Sequence, residues 1–186
     1  MPRLFIGIEL SHQTKLVLKN LSVNLADHID SVRWTPLENM HLTLKFLGET
    51  PINKLDEVEK VLYESMARFR KFSFTLDKPG FFPGEKRAKI IWVGVRFGAS
   101  ELIELANAMN DGLASIGFEK DIKPFKPHIT IARIKAPKQP DYAFGNIDIS
   151  NILGHVVNMG AITIFESTLS SKGALYNAIA RIPLKP

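Results

Sequence analysis

HLTLKFL at 41–47 and HITIARI at 128–134 decide how this chain is read. In each, apolar and polar residues alternate with the period of two that a β-strand imposes, since successive side chains point to opposite faces. In the first, Leu42, Leu44 and Phe46 are expected to face the core, and His41, Thr43 and Lys45 to share the other face. In the second, Ile129 and Ile131 turn inward while His128 and Thr130 are presented outward. Each strand therefore offers one imidazole beside one hydroxyl, once in each half of the chain. His12-Gln13-Thr14 has the same spacing, but it sits at a helix start, where residues two apart do not face the same way. It reads as a solvated helix terminus.

Working outward, RLFIGIEL at 3–10 reads as a strand, and Ser11 can cap a helix over about 12–26 that carries Leu18, Leu21 and Leu25 at helical spacing. A short strand at Val32–Trp34 precedes the turn marked by Pro36. Gly48 ends the first His-x-Thr strand. Leu55, Val58, Leu62, Met66 and Phe69 make one amphipathic helix, and Leu102, Leu105, Met109, Leu113 and Ile116 make another. FSFTL at 72–76 and IIWVGVRF at 90–97 are strand-like, and the Pro- and Gly-bearing segment 78–89 between them reads as a loop. Pro124 and Pro127 frame the way into the second His-x-Thr strand, and 136–140 reads as a further loop. Strands at about 161–169 and 174–182 flank Gly173, which supports a hairpin whose turn is longer than the tightest kind.

Helices thus alternate with pairs of strands, the pattern of an α+β fold with antiparallel sheets. Strand–helix–strand order recurs in the two halves, as an ancient duplication with pseudo-twofold symmetry would produce. The length of 186 residues suits a single domain of two fused lobes over residues 1–186.

Composition narrows the chemistry. With no cysteine, disulfides, thiolate nucleophiles and Cys-based metal sites are excluded. No apolar run is long enough to span a membrane. The first residues lack the features of a signal peptide, so a cytoplasmic location is expected. The net charge of +5 and pI of about 9.4 suit a polyanionic partner, though an ordinary basic surface has the same charge. Lys120, Lys123, Lys126, Arg133, Lys135 and Lys138 crowd the second motif. Strict alternation puts Arg133 on the face opposite His128, so a role there requires a bulge or a reach around the strand.

Phosphodiester hydrolysis needs a base for water on one side of phosphorus and an acid for the leaving oxygen on the other. Two histidines that titrate near pH 6.5 can take those parts, and two hydroxyls can donate to the oxygens where charge grows. A metal site would need a third ligand, and no His-x-His, Asp-x-Asp or Glu-near-His spacing supplies one. A module that only binds nucleotides or RNA ends is the rival from another class. Trp34, Phe81, Phe82 and Phe125 are candidates for stacking on a base, of which Phe82 and Phe125, beside prolines, are preferred. His28 and His155 have no supporting pattern and read as surface or packing residues.

These residues resemble the 2H phosphoesterase superfamily, in particular the RNA 2′,3′-cyclic 3′-phosphodiesterases, often labelled 2′-5′ RNA ligases. The resemblance runs through RLFIGIEL, VRWTPLENMHLTLKFLGE at 32–49, GFFP at 80–83, IIWVGV at 90–95, KPFKPHITIARI at 123–134 and FESTLSSKGALY at 165–176. It implies a bilobal α+β fold with helices on the outer faces and both HXTX motifs in a central cleft. It implies hydrolysis of RNA terminal 2′,3′-cyclic phosphate to 2′-phosphate by a monomer without metal or other cofactor, on tRNA fragments or small cyclic nucleotides. Ligation through a 2′-5′ linkage would have a 5′-hydroxyl replacing water. His41 then resembles the proton donor, His128 the acceptor, and Thr43 and Thr130 phosphate anchors. Lys45, Arg133, Phe82, Phe125 and Tyr176 are further candidate substrate contacts. The acid and base are assigned by the resemblance alone.

Overall fold

The structure, a computed structural model, describes residues 1–29, 31–138, 147–171 and 173–186, with the side chains of all these except 136–138 and 170. Nine strands and three α-helices are seen among them. They follow the order β1 (Arg3–Glu9), α1 (His12–Ala26), β2 (Val32–Trp34), β3 (His41–Glu49), α2 (Leu55–Met66), β4 (Phe72–Phe82), β5 (Ala88–Val95), α3 (Ala99–Ser115), β6 (His128–Lys138), β7 (Val156–Met159), β8 (Ala161–Ser170) and β9 (Gly173–Pro183).

The strands form two antiparallel leaves. One has the order β3-β1-β8-β9. The other has the order β7-β4-β5-β6, with β2 also pairing to β6. The leaves touch through β3 and β6 at one register pair, Leu42 with Ile129. Hydrogen bonding makes the sheet continuous, but it is pinched to a single rung at the middle.

The helices form as their sequence patterns require. The Ser11 hydroxyl accepts from the Thr14 amide and caps α1. Leu18, Leu21 and Leu25 of α1, Val58, Leu62 and Met66 of α2, and Leu102, Leu105, Met109 and Leu113 of α3 are all buried. They join Leu42, Leu44, Ile129 and Ile131 of the two central strands in one core. Burying each such side chain is worth about 1.5–3 kcal/mol, so these apolar faces hold the backs of β3 and β6 in place.

Several expectations are corrected. Residues 78–82 are not a loop: β4 runs through Pro79 and Gly80 to Phe82. Its register shifts between Leu76 and Pro79, and a bulge of this kind tolerates a proline that has no N–H for the ladder. Gly80 belongs in the strand because the Trp92 indole lies against it, leaving no room for a β-carbon. The backbone of 136–138 continues β6 rather than forming a loop, and 139–140 lie outside the described residues. Ser170 pairs with Gly173, so the β8–β9 turn is of the tightest, two-residue kind. Strand β3 passes through Gly48 to Glu49. Strand β7, which pairs with the first half of β4, was not foreseen. Thr14 is not solvated but 1% exposed, with its hydroxyl 3.1 Å from His155 Nε2.

Candidate active site

The Leu42–Ile129 rung sets the geometry of the site. In an antiparallel pair, that register sets His41 across from Thr130 and Thr43 across from His128. Leu42 and Ile129 are fully buried on the helix side, so the four flanking residues present their side chains on the other face. The two histidines are diagonal neighbours, a placement that separates backbones by about 7–8 Å. Two rings at that spacing can flank one phosphorus atom. His41, Thr43, His128 and Thr130 are all part-buried.

Both strands then bulge at the same place. On β3, Thr43 pairs with Gly7 and Lys45 with Ile6, leaving Leu44 as the extra residue. On β6, Thr130 pairs with Trp92 and Ala132 with Ile91, leaving Ile131 as the extra residue. A bulge flips the parity of everything beyond it. Lys45 therefore does not share the His41 face. It is 4% exposed and turned toward α3, where its ammonium donates to Asn110 Oδ1 (2.7 Å), the Glu119 carbonyl (2.8 Å) and Asp121 Oδ2 (3.1 Å). All three N–H groups are used, which corrects its expected role as a substrate contact. Phe46, expected in the core, emerges on the His41 face and is 70% exposed. The bulge that Arg133 required exists: Arg133 pairs with Ile90, one alternation from Trp92, and is exposed on the face that carries His128.

Each imidazole is fixed in the same way. His41 Nδ1 lies 2.7 Å from the Asn39 carbonyl, and His128 Nδ1 lies 2.6 Å from the Lys126 carbonyl. A carbonyl only accepts, so each Nδ1 carries a proton and donates it, and each Nε2 is left for chemistry. The Thr43 hydroxyl donates to His41 Nε2 at 2.9 Å when that ring is neutral.

Aromatic rings wall both histidines. The Phe5 ring centroid is 4.8 Å from that of His41, and Tyr176 meets His41 edge-on at 5.2 Å. Phe82 meets His128 edge-on at 5.0 Å and stacks on Trp92. A β-carbon at Gly7 would come within 2.8 Å of the Leu42 carbonyl and 3.4 Å of the His41 ring, so glycine lets β1 pass close behind the imidazole. Burial in these walls lowers the pKa of His41 to about 4; the Asn39 carbonyl opposes the shift and Lys15 adds slightly to it. Burial also lowers the pKa of His128, opposed by the Lys126 carbonyl. At neutral pH the free protein holds both rings uncharged.

Beside His41 lies a cavity of about 300 Å³ lined by Arg3, Phe5, Phe46, Ser167 and Tyr176 among others. Of the candidate contacts, Tyr176 lies beside His41 and Phe82 beside His128. Phe125 is part-buried against the core, as is Trp34, and Phe81 is buried. Of the basic cluster, Lys120 pairs with Asp111, and the Lys138 side chain lies outside the described residues. Phe5, Phe46 and Trp92, which lie beside the histidines or the cavity, carried no role in the sequence reading. For Trp92 a signal existed: it alternates with Ile91 and Val93 on a strand rich in apolar residues. Among the described residues no three His, Cys, Asp or Glu side chains gather as a metal site would require. No described helix is long and apolar enough to cross a membrane.

An antiparallel α+β sheet that presents two His-x-Thr strands on one face places the chain in a defined class. The chain belongs to the 2′-5′ RNA ligase superfamily, whose family model matches residues 24–153. An RNA 2′,3′-cyclic phosphodiesterase of Thermotoga maritima is 32% identical over 178 residues, covering 95% of this chain and 92% of that protein. The enzyme of the same description from Archaeoglobus fulgidus is 30% identical over 188 residues, covering 94% and 96%. Among solved structures, E. coli LigT complexed with 3′-AMP has a TM-score of 0.81 and 25% identity, with 100% of both chains covered.

Proposed function

We propose that this chain is a metal-independent RNA 2′,3′-cyclic 3′-phosphodiesterase that leaves a 2′-phosphate. The observation that carries the reading is the pair of imidazoles on one face, each tied through Nδ1 to a carbonyl and each offering Nε2. His128 Nε2 takes a proton from water as its oxygen attacks phosphorus. The P–O3′ bond breaks, and His41 Nε2–H protonates the departing 3′ oxygen. The Thr43 and Thr130 hydroxyls donate to the non-bridging oxygens, where charge builds. The substrate's negative charge opposes the desolvation that keeps both rings neutral, so its arrival raises both pKa values and lets His41 hold a proton. With a 5′-hydroxyl in place of water, the same groups run 2′-5′ joining. The relatives named as cyclic phosphodiesterases support the substrate class. We further propose that the chain works as a single bilobal unit, a cytoplasmic monomer acting on RNA ends. The bulge repeated on β3 and β6 supports a duplicated origin.

The test is hydrolysis of a nucleoside 2′,3′-cyclic phosphate in EDTA, with the product mapped. The reading predicts turnover and phosphate retained on the 2′ oxygen. Affinity without product would make the chain a binding module. Restoration of activity by a divalent ion would remove the metal-independent mechanism.

A further inference from the structure

Strand β2 is short and pairs only with β6, yet its middle residue makes an unusual pair: Arg33 stands directly across from Arg133. Residues opposed across an antiparallel ladder project to the same face, and Arg133 has been placed on the His128 face. Val32 and Trp34, which flank Arg33, pack against the core, so Arg33 projects the other way, and both arginines are exposed. Like charges directly opposite one another destabilise a sheet. Among the described residues no carboxylate lies within ion-pair distance of either one. Two exposed guanidiniums on one face, with no carboxylate beside them among the described residues, make a place for an anion, and each offers the planar fork that matches phosphate oxygens.

The surroundings fit that purpose. The Arg33 guanidinium lies against Gly173 at the start of β9 in the β8–β9 hairpin. Asn39 Nδ2 donates to the Ala174 carbonyl at 2.7 Å, tying the same hairpin to the turn that leads into His41. The hairpin of one leaf thus lies beside an arginine of the other. Arg133, level with Arg33, is on the same strand as Thr130. It is about two residue rises, roughly 7 Å, beyond Thr130, a span comparable with one internucleotide step.

We propose that Arg33, with Arg133 beside it, is a second phosphate subsite that holds the phosphodiester on the 5′ side of the terminal nucleotide. This rests on the reading that a 2′,3′-cyclic end is the substrate. A cyclic phosphate closes the 3′ end of its strand, so any other phosphate of that strand lies on the 5′ side. A free cyclic mononucleotide has none. The subsite therefore favours RNA ends over free cyclic mononucleotides.

The experiment compares two ligands, a nucleoside 2′-phosphate and a dinucleotide bearing the same 2′-phosphate. Each is titrated into the wild type, Arg33→Gln and Arg33→Lys, all checked for folding by thermal melting. The wild type should bind the dinucleotide roughly tenfold more tightly, the scale of one charge-assisted contact. Its affinity should fall more steeply with log salt, by about 0.7 in slope for the added phosphate. Arg33→Gln should remove both differences, and Arg33→Lys should keep part of them. No dinucleotide preference in the wild type, or the same preference in Arg33→Gln, overturns the proposal. Turnover of cyclic ends is measured separately. Its absence would sink the proposed reaction, while the binding ratio would still decide the subsite.

Discussion

Strands β3 and β6 are built alike up to their bulges and differ beyond them. In both, the histidine is part-buried, the next residue is buried, the threonine is part-buried, and two buried residues then mark the bulge. The next residue returns to the histidine face, as Phe46 on β3 and Arg133 on β6. Phe46 joins Phe5 and Tyr176 around a cavity, while Arg133 faces Arg33 across the ladder. The lesson is that a repeated strand can supply matched acid–base groups while its continuation breaks the symmetry. One side offers ring faces suited to a nucleobase, the other offers cations suited to phosphate. In the proposed reaction, that difference would orient a substrate that the two histidines alone would accept either way round.

If the histidines are true equivalents, His41→Ala and His128→Ala should each lower kcat by about 10²–10⁴-fold with melting temperature nearly unchanged. A large loss from only one would break the equivalence. Lys45 and Ala132 occupy matching bulge positions, so Lys45→Ala makes β3 resemble β6. It strands the Asn110 and Glu119 acceptors and should cost about 1–3 kcal/mol in denaturant unfolding, with kcat/KM preserved. A raised KM at full stability would return Lys45 to the substrate.

The pH profile sharpens the comparison further. In the proposed reaction His41 must carry a proton and His128 must not. In the free protein burial lowers His41 to about 4 and brings His128 below its ordinary value of 6.5. The fraction with both correct peaks between the two, so kcat/KM should be greatest on the acid side of pH 6.5 and fall as pH rises. The kcat profile, which reports the anion-bound state, should lie at higher pH. A kcat/KM maximum above pH 7 would contradict the burial of both rings. The smallest effect is expected from Phe46→Ala: a KM increase of several-fold, the worth of one stacking contact, with no loss of stability. A core phenylalanine would instead cost about 3–5 kcal/mol.

Much of this was legible in the sequence because periodicity and chemistry agreed. The three helices and the central strands stand where residue spacing put them, and the four His and Thr residues share one face of the sheet. What could not be read were the bulges, because a bulge depends on which neighbouring strand and helix the residues beyond it pack against. Lys45 and Phe46 were exchanged for that reason: α3 and the 119–121 segment supply acceptors that draw the lysine inward. Arg133 was recognised as needing a bulge, but nothing local indicated that Ile131 would supply one. Pro79 and Gly80 read as loop residues, and only the Trp92 indole lying across the strand explains the glycine. Arg33 gave no local signal at all, since its meaning comes from a register partner far along the chain.

The central claim is that both Nε2 atoms converge on one phosphate, and NMR of the imidazole nitrogens tests it most directly. Free, both rings should be protonated at Nδ1, with His41 titrating near pH 4 and His128 below 6.5. On saturation with a nucleoside 2′-phosphate, both should shift upward together, with resonance changes at both Nε2 positions. A response confined to one ring, or from neither, would contradict the account.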